Sequence, residues 1–271
     1  MSVYPERIVC LTEETTEILY LLGEGHRVVG ISGYTLRPPE ARDKPKVSSF
    51  ISAKYDKISA LSPDLVLTFS DLQADITAEL VRRGFTVHAF NQRSVDEILQ
   101  AIRTLAGLVG RQRAGEELAD TLSAGLERIR ESAARLPFRP RVFFEEWNEP
   151  LISGIQWVEE LIEIAGGTSV FPELRHMRLA KDRIVDPQEV LRRNPEVVLA
   201  SWCGKRVNRA SIRGRPGWDG MSAVRNGDIY EIPSTYILQP GPAALTEGIH
   251  RIHERLKDIV RRPTPPQLST G

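Results

Sequence analysis

Cysteine is scarce: Cys10 and Cys203 are the only two in 271 residues. That number excludes a disulfide framework, and their separation excludes a metal finger. A charge of one sign is also missing, because 36 basic side chains stand against 36 acidic ones. A polyanion binder working through a general basic field is therefore excluded, and no nucleic-acid partner is expected. The balance is local as well, with 13 basic and 14 acidic groups in residues 1–112 and 19 and 17 in 137–262. No apolar run approaches the ~20 residues of a membrane helix, so no membrane insertion is expected. The start, MSVYPERIVCLTEETTEILYLLG, lacks a basic stretch followed by ~7–15 apolar residues. As encoded, the chain is expected in the cytoplasm; a truncated start would instead allow a periplasmic or cell-surface protein.

Catalytic signatures are absent too. There is no Gly-x-Gly-x-x-Gly, no phosphate loop, no Gly-x-Ser-x-Gly and no His-Glu-x-x-His. His250 and His253 stand among Arg251, Glu254 and Arg255, which reads as a solvated helix face. His88 reads as a packing residue in a strand. Cys203 at a strand end reads as a plain small residue, with metal ligation the weaker alternative. No catalytic residue, metal site or intrinsic cofactor is expected.

What the chain does contain is a repeat. Lys57–Phe69 reads as a short helix, a Pro-acid turn (Pro63-Asp64) and a buried strand; Glu189–Ser201 has the same form around Pro195-Glu196. Upstream, Arg7-Ile-Val-Cys-Leu and Arg141-Val-Phe-Phe-Glu are strands, each leading through an acidic loop to a helix that ends in glycine. Downstream, Gly84–Phe90 parallels Gly227–Ile232. Short apolar strands alternating with helices are the pattern of buried parallel sheets. Between the halves, Leu118, Leu122, Leu126, Ile129, Ala133 and Leu136 recur at helical spacing. The expected fold is α/β: two Rossmann-like lobes, 1–112 and 137–262, joined by one long helix over 113–136, with a ligand cleft between the lobes. The Pro-rich tail, 263–271, is expected to be disordered.

Ligands of open α/β sheets bind beyond the carboxyl ends of the strands. Six such exits carry aromatic residues: Tyr34, Phe50, Phe69, Trp147, Trp202 and Tyr236. Aromatic faces suit a large, flat ligand. Glu145 and Glu146, beside Trp147, are the right residue type for acid–base work, but no nucleophile accompanies them. They read as polar ligand contacts or as loop solvation.

The ordered motifs Arg7–Leu11, Thr16-Glu17-Ile-Leu-Tyr-Leu-Leu-Gly23, Val29-Gly-Ile-Ser-Gly-Tyr34, Pro38-Pro39 and Leu61–Val66 resemble those of the helical-spine (class III) substrate-binding proteins of ABC importers. Pro150–Gly154 and Glu159–Gly167 fit as well. The similarity spans residues 5 to about 260 and is strongest to the cobalamin (vitamin B12)-binding branch, whose relatives bind siderophores and haem. The resemblance implies a non-catalytic, monomeric binder of cobalamin or a related corrinoid, with Tyr34 and Phe50 at corrin-contacting positions and Phe69 where that branch has tryptophan. Trp147 and the Tyr236 loop would close from the second lobe. It also implies docking to an ABC permease through a carboxylate on each lobe. Asp75 or Glu79 serves on the first lobe, whereas the second-lobe loop Cys203–Arg215 holds Lys205, Arg206, Arg209, Arg213 and Arg215 and no acid. A basic loop would repel permease arginines; a solvated rim or an acidic partner is the other reading. Two alternatives stay open: a siderophore or haem binder using Arg37, Arg178, Lys181 and Arg183, and a tetrapyrrole-modifying enzyme using Glu145, Glu146 and Cys203.

Overall fold

The apolar runs after the two Pro-acid turns are strands without solvent contact, and they organise both sheets. The computed structural model describes residues 3–262; the tail expectation for 263–271 lies outside them. The first half contains β1 (Ile8–Cys10), α1 (Glu13–Leu21), β2 (Val28–Ser32), β3 (Lys46–Ser49), β4 (Ser52–Ala53), α2 (Tyr55–Ala60), β5 (Leu65–Phe69), α3 (Ala74–Arg82), β6 (Val87–Phe90) and α4 (Val95–Leu108). After α5 (Gln112–Ala133) come β7 (Arg141–Asn148), β8 (Leu151–Ser153), α6 (Gln156–Ile164), β9 (Thr168–Ser169), α7 (Pro187–Arg193) and β10 (Val197–Ala200). Then follow α8 (Arg209–Arg213), α9 (Ser222–Arg225), β11 (Ile229–Glu231), α10 (Ser234–Ile237) and α11 (Ile249–Val260). None of the described helices is long and apolar enough to cross a membrane.

Contacts divide the chain into two units. The first takes the chain up to Leu126 together with Pro233–Glu247; the second takes Glu127–Ile232 and the chain from Gly248 on. Residues of α5 fall in both. This helix ends at Ala133 rather than Leu136, because Pro137 disfavours helical geometry in the residue before it.

The first sheet runs β4-β3-β2-β1-β5-β6, parallel except for the β3–β4 hairpin. Val9, Leu11, Val47, Val66, Ile76 and Leu80 form its core on one side. On α4, Val95, Ile98, Leu99, Ile102 and Leu105 are buried at spacings of three and four, a helical stripe. Its start is fixed by a capping box, with the Ser94 hydroxyl accepting from the Glu97 N–H at 3.1 Å and the Glu97 carboxylate accepting from the Ser94 N–H. The second sheet runs β11-β10-β7-β8, with β9 alongside β7. Its core gathers Phe143, Val198, Trp202, Trp218, Met221 and Ile229.

The repeated motif has the same physical role in each unit. Asp64 of the first Pro-acid turn accepts hydrogen bonds from the Glu6 and Arg7 N–H groups at 2.8 and 2.9 Å. Glu196 of the second accepts from the Arg141 N–H at 2.8 Å. The two arginines reciprocate: Arg7 donates to the Leu61 carbonyl at 2.9 Å and Arg141 to the Arg193 carbonyl at 3.3 Å, each at the end of the preceding helix. The acid thus holds the entry of the neighbouring strand, setting β1 parallel to β5 and β7 parallel to β10.

One expectation about surface residues is corrected. His250 is exposed, but His253 is only 4% exposed. Its Nδ1 donates to the Ala165 carbonyl at 2.8 Å, and Nε2 lies 2.9 Å from the Ser132 hydroxyl. The charged neighbours seen in sequence lie around the helix, whereas this ring points inward with Ile249, Ile252 and Leu256.

Candidate functional site

In the first unit, β1 exits into the first turn of α1 and places Glu13, Glu14 and Glu17 where burial is nearly complete: 8%, 1% and 8% exposed. Thr12 donates its hydroxyl to Glu14 Oε1 at 2.6 Å. Arg37, from the segment after β2, donates to Glu17 Oε1 and to Glu247 Oε1, each at 3.0 Å. The Ala243 N–H takes Glu17 Oε2 at 3.1 Å. Those contacts leave Glu13 Oε2 and Glu14 Oε2 buried without a partner among the described residues. Burial pushes the Glu14 carboxyl up to about 8 against the pull of the Thr12 hydroxyl, and pushes Glu13 up to about 7. Burial also raises Glu17, with Arg37 opposing, and takes the Cys10 thiol beneath them up to about 12.

These carboxyls line a recess together with Tyr34, Leu36, Arg37, Thr235 and Gln239; its free volume is about 10 Å³, room for one water-sized group. Thr235 and Gln239 come from the 233–247 segment. That segment reaches α1 closely because residue 241 is glycine: a Cβ there would lie 2.6 Å from the Glu14 Cβ. Gln92 anchors the same segment by donating to the Pro240 carbonyl at 2.9 Å. A larger cavity of about 610 Å³ shares Glu17, Leu36, Arg37 and Thr235 and adds Tyr20, Pro38, Pro39, Arg42 and Tyr236.

Of the expected aromatic contacts in this unit, Tyr34 is 45% exposed and lies on the recess. Tyr236 is half-buried under the Arg37 guanidinium, 5.2 Å from the ring centre. Phe50 is half-buried, and its carbonyl accepts from Gln73 at 3.1 Å. Phe69 is 4% exposed and covered by Arg93 at 5.2 Å. On α3, Asp75 is exposed, whereas Glu79 accepts from Arg83 at 2.7 Å and from Arg82.

In the second unit Glu145, Glu146 and Trp147, expected just beyond the first strand, lie within it, because β7 runs on to Asn148 to pair with β8. Glu145, without solvent contact, accepts two bonds from Arg215 at 2.6 and 2.8 Å and one from the Trp202 indole N–H at 3.1 Å. Glu146 accepts two from Arg183 at 2.7 and 3.0 Å. Arg183 is 1% exposed and also donates to the Ser153 carbonyl at 2.5 Å. Trp202 is buried in the core, and Trp147 is half-buried. The Lys205 ammonium sits 3.9 Å from the Trp147 ring centre and 4.9 Å from that of Trp202 while donating to Asn148 at 2.6 Å. The basic loop is therefore only partly a rim: Arg215 turns inward to Glu145, and Lys205 lies on the aromatic pair. Cys203 is exposed. Glu159 is a further buried acid, raised to about 7 by burial, but it lies on α6 against Gly154 and lines none of the cavities described above.

Of the aromatic residues expected at the site, Tyr34 lines the recess and Tyr236 the larger cavity; Glu13, Glu14, Thr235 and Gln239 were not among the expected contacts. The run Thr12-Glu13-Glu14 immediately after a buried strand was the available signal, since acids at such a turn are either solvated or enclosed. In the 233–247 segment Tyr236 was the available signal; the roles of Thr235 and Gln239 depend on how the segment packs against α1.

A protein-family model described as periplasmic binding protein matches residues 8–236. The vitamin B12-binding protein of Vibrio cholerae is 27% identical over 263 residues, covering 93% of this chain and 89% of that protein. The crystal structure of the periplasmic vitamin B12-binding protein of the same species shares 24% identity with a TM-score of 0.75, covering 95% of this chain and 99% of the other. The periplasmic haem-binding protein RhuT of Roseiflexus sp. RS-1 shares 25% identity with a TM-score of 0.79, covering 93% and 99%.

Proposed function

The chain belongs to the periplasmic binding protein family, and from that premise we propose that it is a non-catalytic substrate-binding protein of the ABC-importer type whose ligand is cobalamin or a related corrinoid. The observation that carries this reading is Tyr34, an exposed aromatic face on the rim of a hydrogen-bonding recess at the carboxyl ends of β1 and β2. A flat macrocycle edged with amides calls for that combination. Relatives named for vitamin B12 that align with nearly the whole chain support it. Tyr236 and Trp147 are the other aromatic contacts favoured, since Phe69 and Trp202 are covered by their own units. Glu145 and Glu146 are each neutralised by a paired arginine, which argues against acid–base catalysis by them. For a permease, Asp75 is the stronger of the two candidate contacts, because Glu79 is already paired.

The test is titration of the purified chain with cyanocobalamin, followed by gel filtration monitored at the corrin absorbance. One-to-one co-elution is expected, and no binding at tens of micromolar would end the corrinoid reading. An anionic siderophore or haem is disfavoured because Arg37 is held between Glu17 and Glu247, and Arg183 by Glu146. Strongly salt-dependent haemin binding, lost in Arg178→Ala, would favour it instead.

A further inference from the structure

We propose that the carboxyl recess of the first unit binds a primary carboxamide on the edge of the ligand, and so distinguishes amide from carboxylate at that position. The inference rests on the corrinoid reading and deepens it by assigning one ligand group to one set of residues.

The geometry limits what the recess can accept. Thr12 occupies one oxygen of Glu14, and Arg37 with the Ala243 N–H occupies Glu17. What remains is Glu13 Oε2 and Glu14 Oε2, both buried and unpartnered, on two residues that line the recess. Gln239, itself only 8% exposed, lines the recess from the 233–247 segment. A buried carboxyl oxygen without a partner costs stability unless something fills the site and satisfies it. About 10 Å³ of room admits one water-sized group, such as an amide NH2, and nothing larger.

The chemistry then selects the head. An ionised carboxylate brings no donor for Glu13 Oε2 or Glu14 Oε2 and adds its charge beside three acids. An ammonium would require the buried carboxyls to ionise fully, which their enclosure opposes. Among the described residues no group of these side chains is arranged to hold a metal ion. A primary carboxamide, by contrast, ends in a water-sized NH2 group whose two N–H bonds can donate to Glu13 Oε2 and Glu14 Oε2. If the acid is ionised, the amide N–H still finds an acceptor. Tyr34, Arg37, Glu247 and Cys10 complete the titratable surroundings, and Arg37 is engaged by two carboxylates.

The experiment compares two corrinoids by calorimetry at pH 7 with the full chain: dicyanocobinamide, edged with carboxamides, and cobyrinic acid, with carboxylates in their place. Cobinamide is expected to bind at least about tenfold more tightly, the scale of one hydrogen bond lost to repulsion. In Glu14→Gln, an isosteric change that removes the ionisable group, the preference should shrink to about threefold or less because cobyrinic acid gains affinity. Glu13→Gln, read the same way, covers the case in which the first variant folds poorly by circular dichroism. Equal affinity for the two ligands, or a preference untouched by both variants, overturns the recess assignment while leaving the corrinoid reading standing. Failure of both ligands to bind overturns the reading and the assignment with it.

Discussion

At the carboxyl ends of its strands the first unit leaves Glu13 Oε2 and Glu14 Oε2 unpartnered, whereas the second unit closes Glu145 on Arg215 and Glu146 on Arg183. Both are acid pairs in the sequence, but Glu13 and Glu14 follow β1, whereas Glu145 and Glu146 lie within β7. The difference lies in what the later chain delivers to them. In the second unit two arginines arrive, and the acids become internal struts. In the first, the 233–247 segment brings Thr235, Gln239 and a glycine, and the acids remain open to a small polar group. The same residue type is therefore closed by arginines in one unit and left with unpartnered oxygens in the other.

That contrast can be broken most directly at Arg215. Arg215→Met strands Glu145 as a buried, uncompensated charge and should cost about 3–5 kcal/mol in urea denaturation; a loss below 1 kcal/mol would mean the second unit's acids are not struts. A smaller effect is expected from pH. Glu14 and Glu13 are raised to about 8 and about 7 from an ordinary 4.5, so the folded chain holds protons that the unfolded chain releases. Their contribution is full below pH ~4.5 and is lost as pH rises through 7 and 8. Stability should fall as pH rises across that range, and Glu14→Gln should flatten the decline. Glu159 adds to the same slope from the second unit, so Glu159→Gln separates the two contributions. An unchanged slope in Glu14→Gln would show that the first unit's acids are not held protonated.

Tyr34→Ala should weaken corrinoid binding by about 1–3 kcal/mol with little change in melting temperature, the mark of a contact residue. Trp202→Phe should do the reverse, since its indole serves Glu145 and the core. The smallest effect sharpens the common frame. Asp64→Ala removes two backbone acceptor contacts and Glu196→Ala removes one, so losses of about 1 and about 0.5 kcal/mol are expected from thermal melts. Equal losses would remove the graded reading of the repeat.

Much of the fold was legible because it depends on local signals. The Pro-acid turns marked β5 and β10, the alternation of strands and helices implied parallel sheets, and Tyr34 stood beyond β2 as a strand-end residue should. The site was legible only in part. An acid pair looks the same in sequence whether Arg215, seventy positions later, reaches it or nothing does. Trp202 and Phe69 read as strand-end aromatics, yet their rings fold under Lys205 and Arg93. Such pairings are decided by loop paths, which residue type does not encode.

The 233–247 segment returns to the first unit only after β11 of the second, and α11 then continues in the second unit. A wall of the recess is thus written into the last fifth of the message. During synthesis, residues 1–126 emerge long before Thr235 and Gln239, so the first unit cannot finish assembling until the second has almost entirely left the ribosome. For the same reason no gene fragment encodes the first unit without also encoding most of the second.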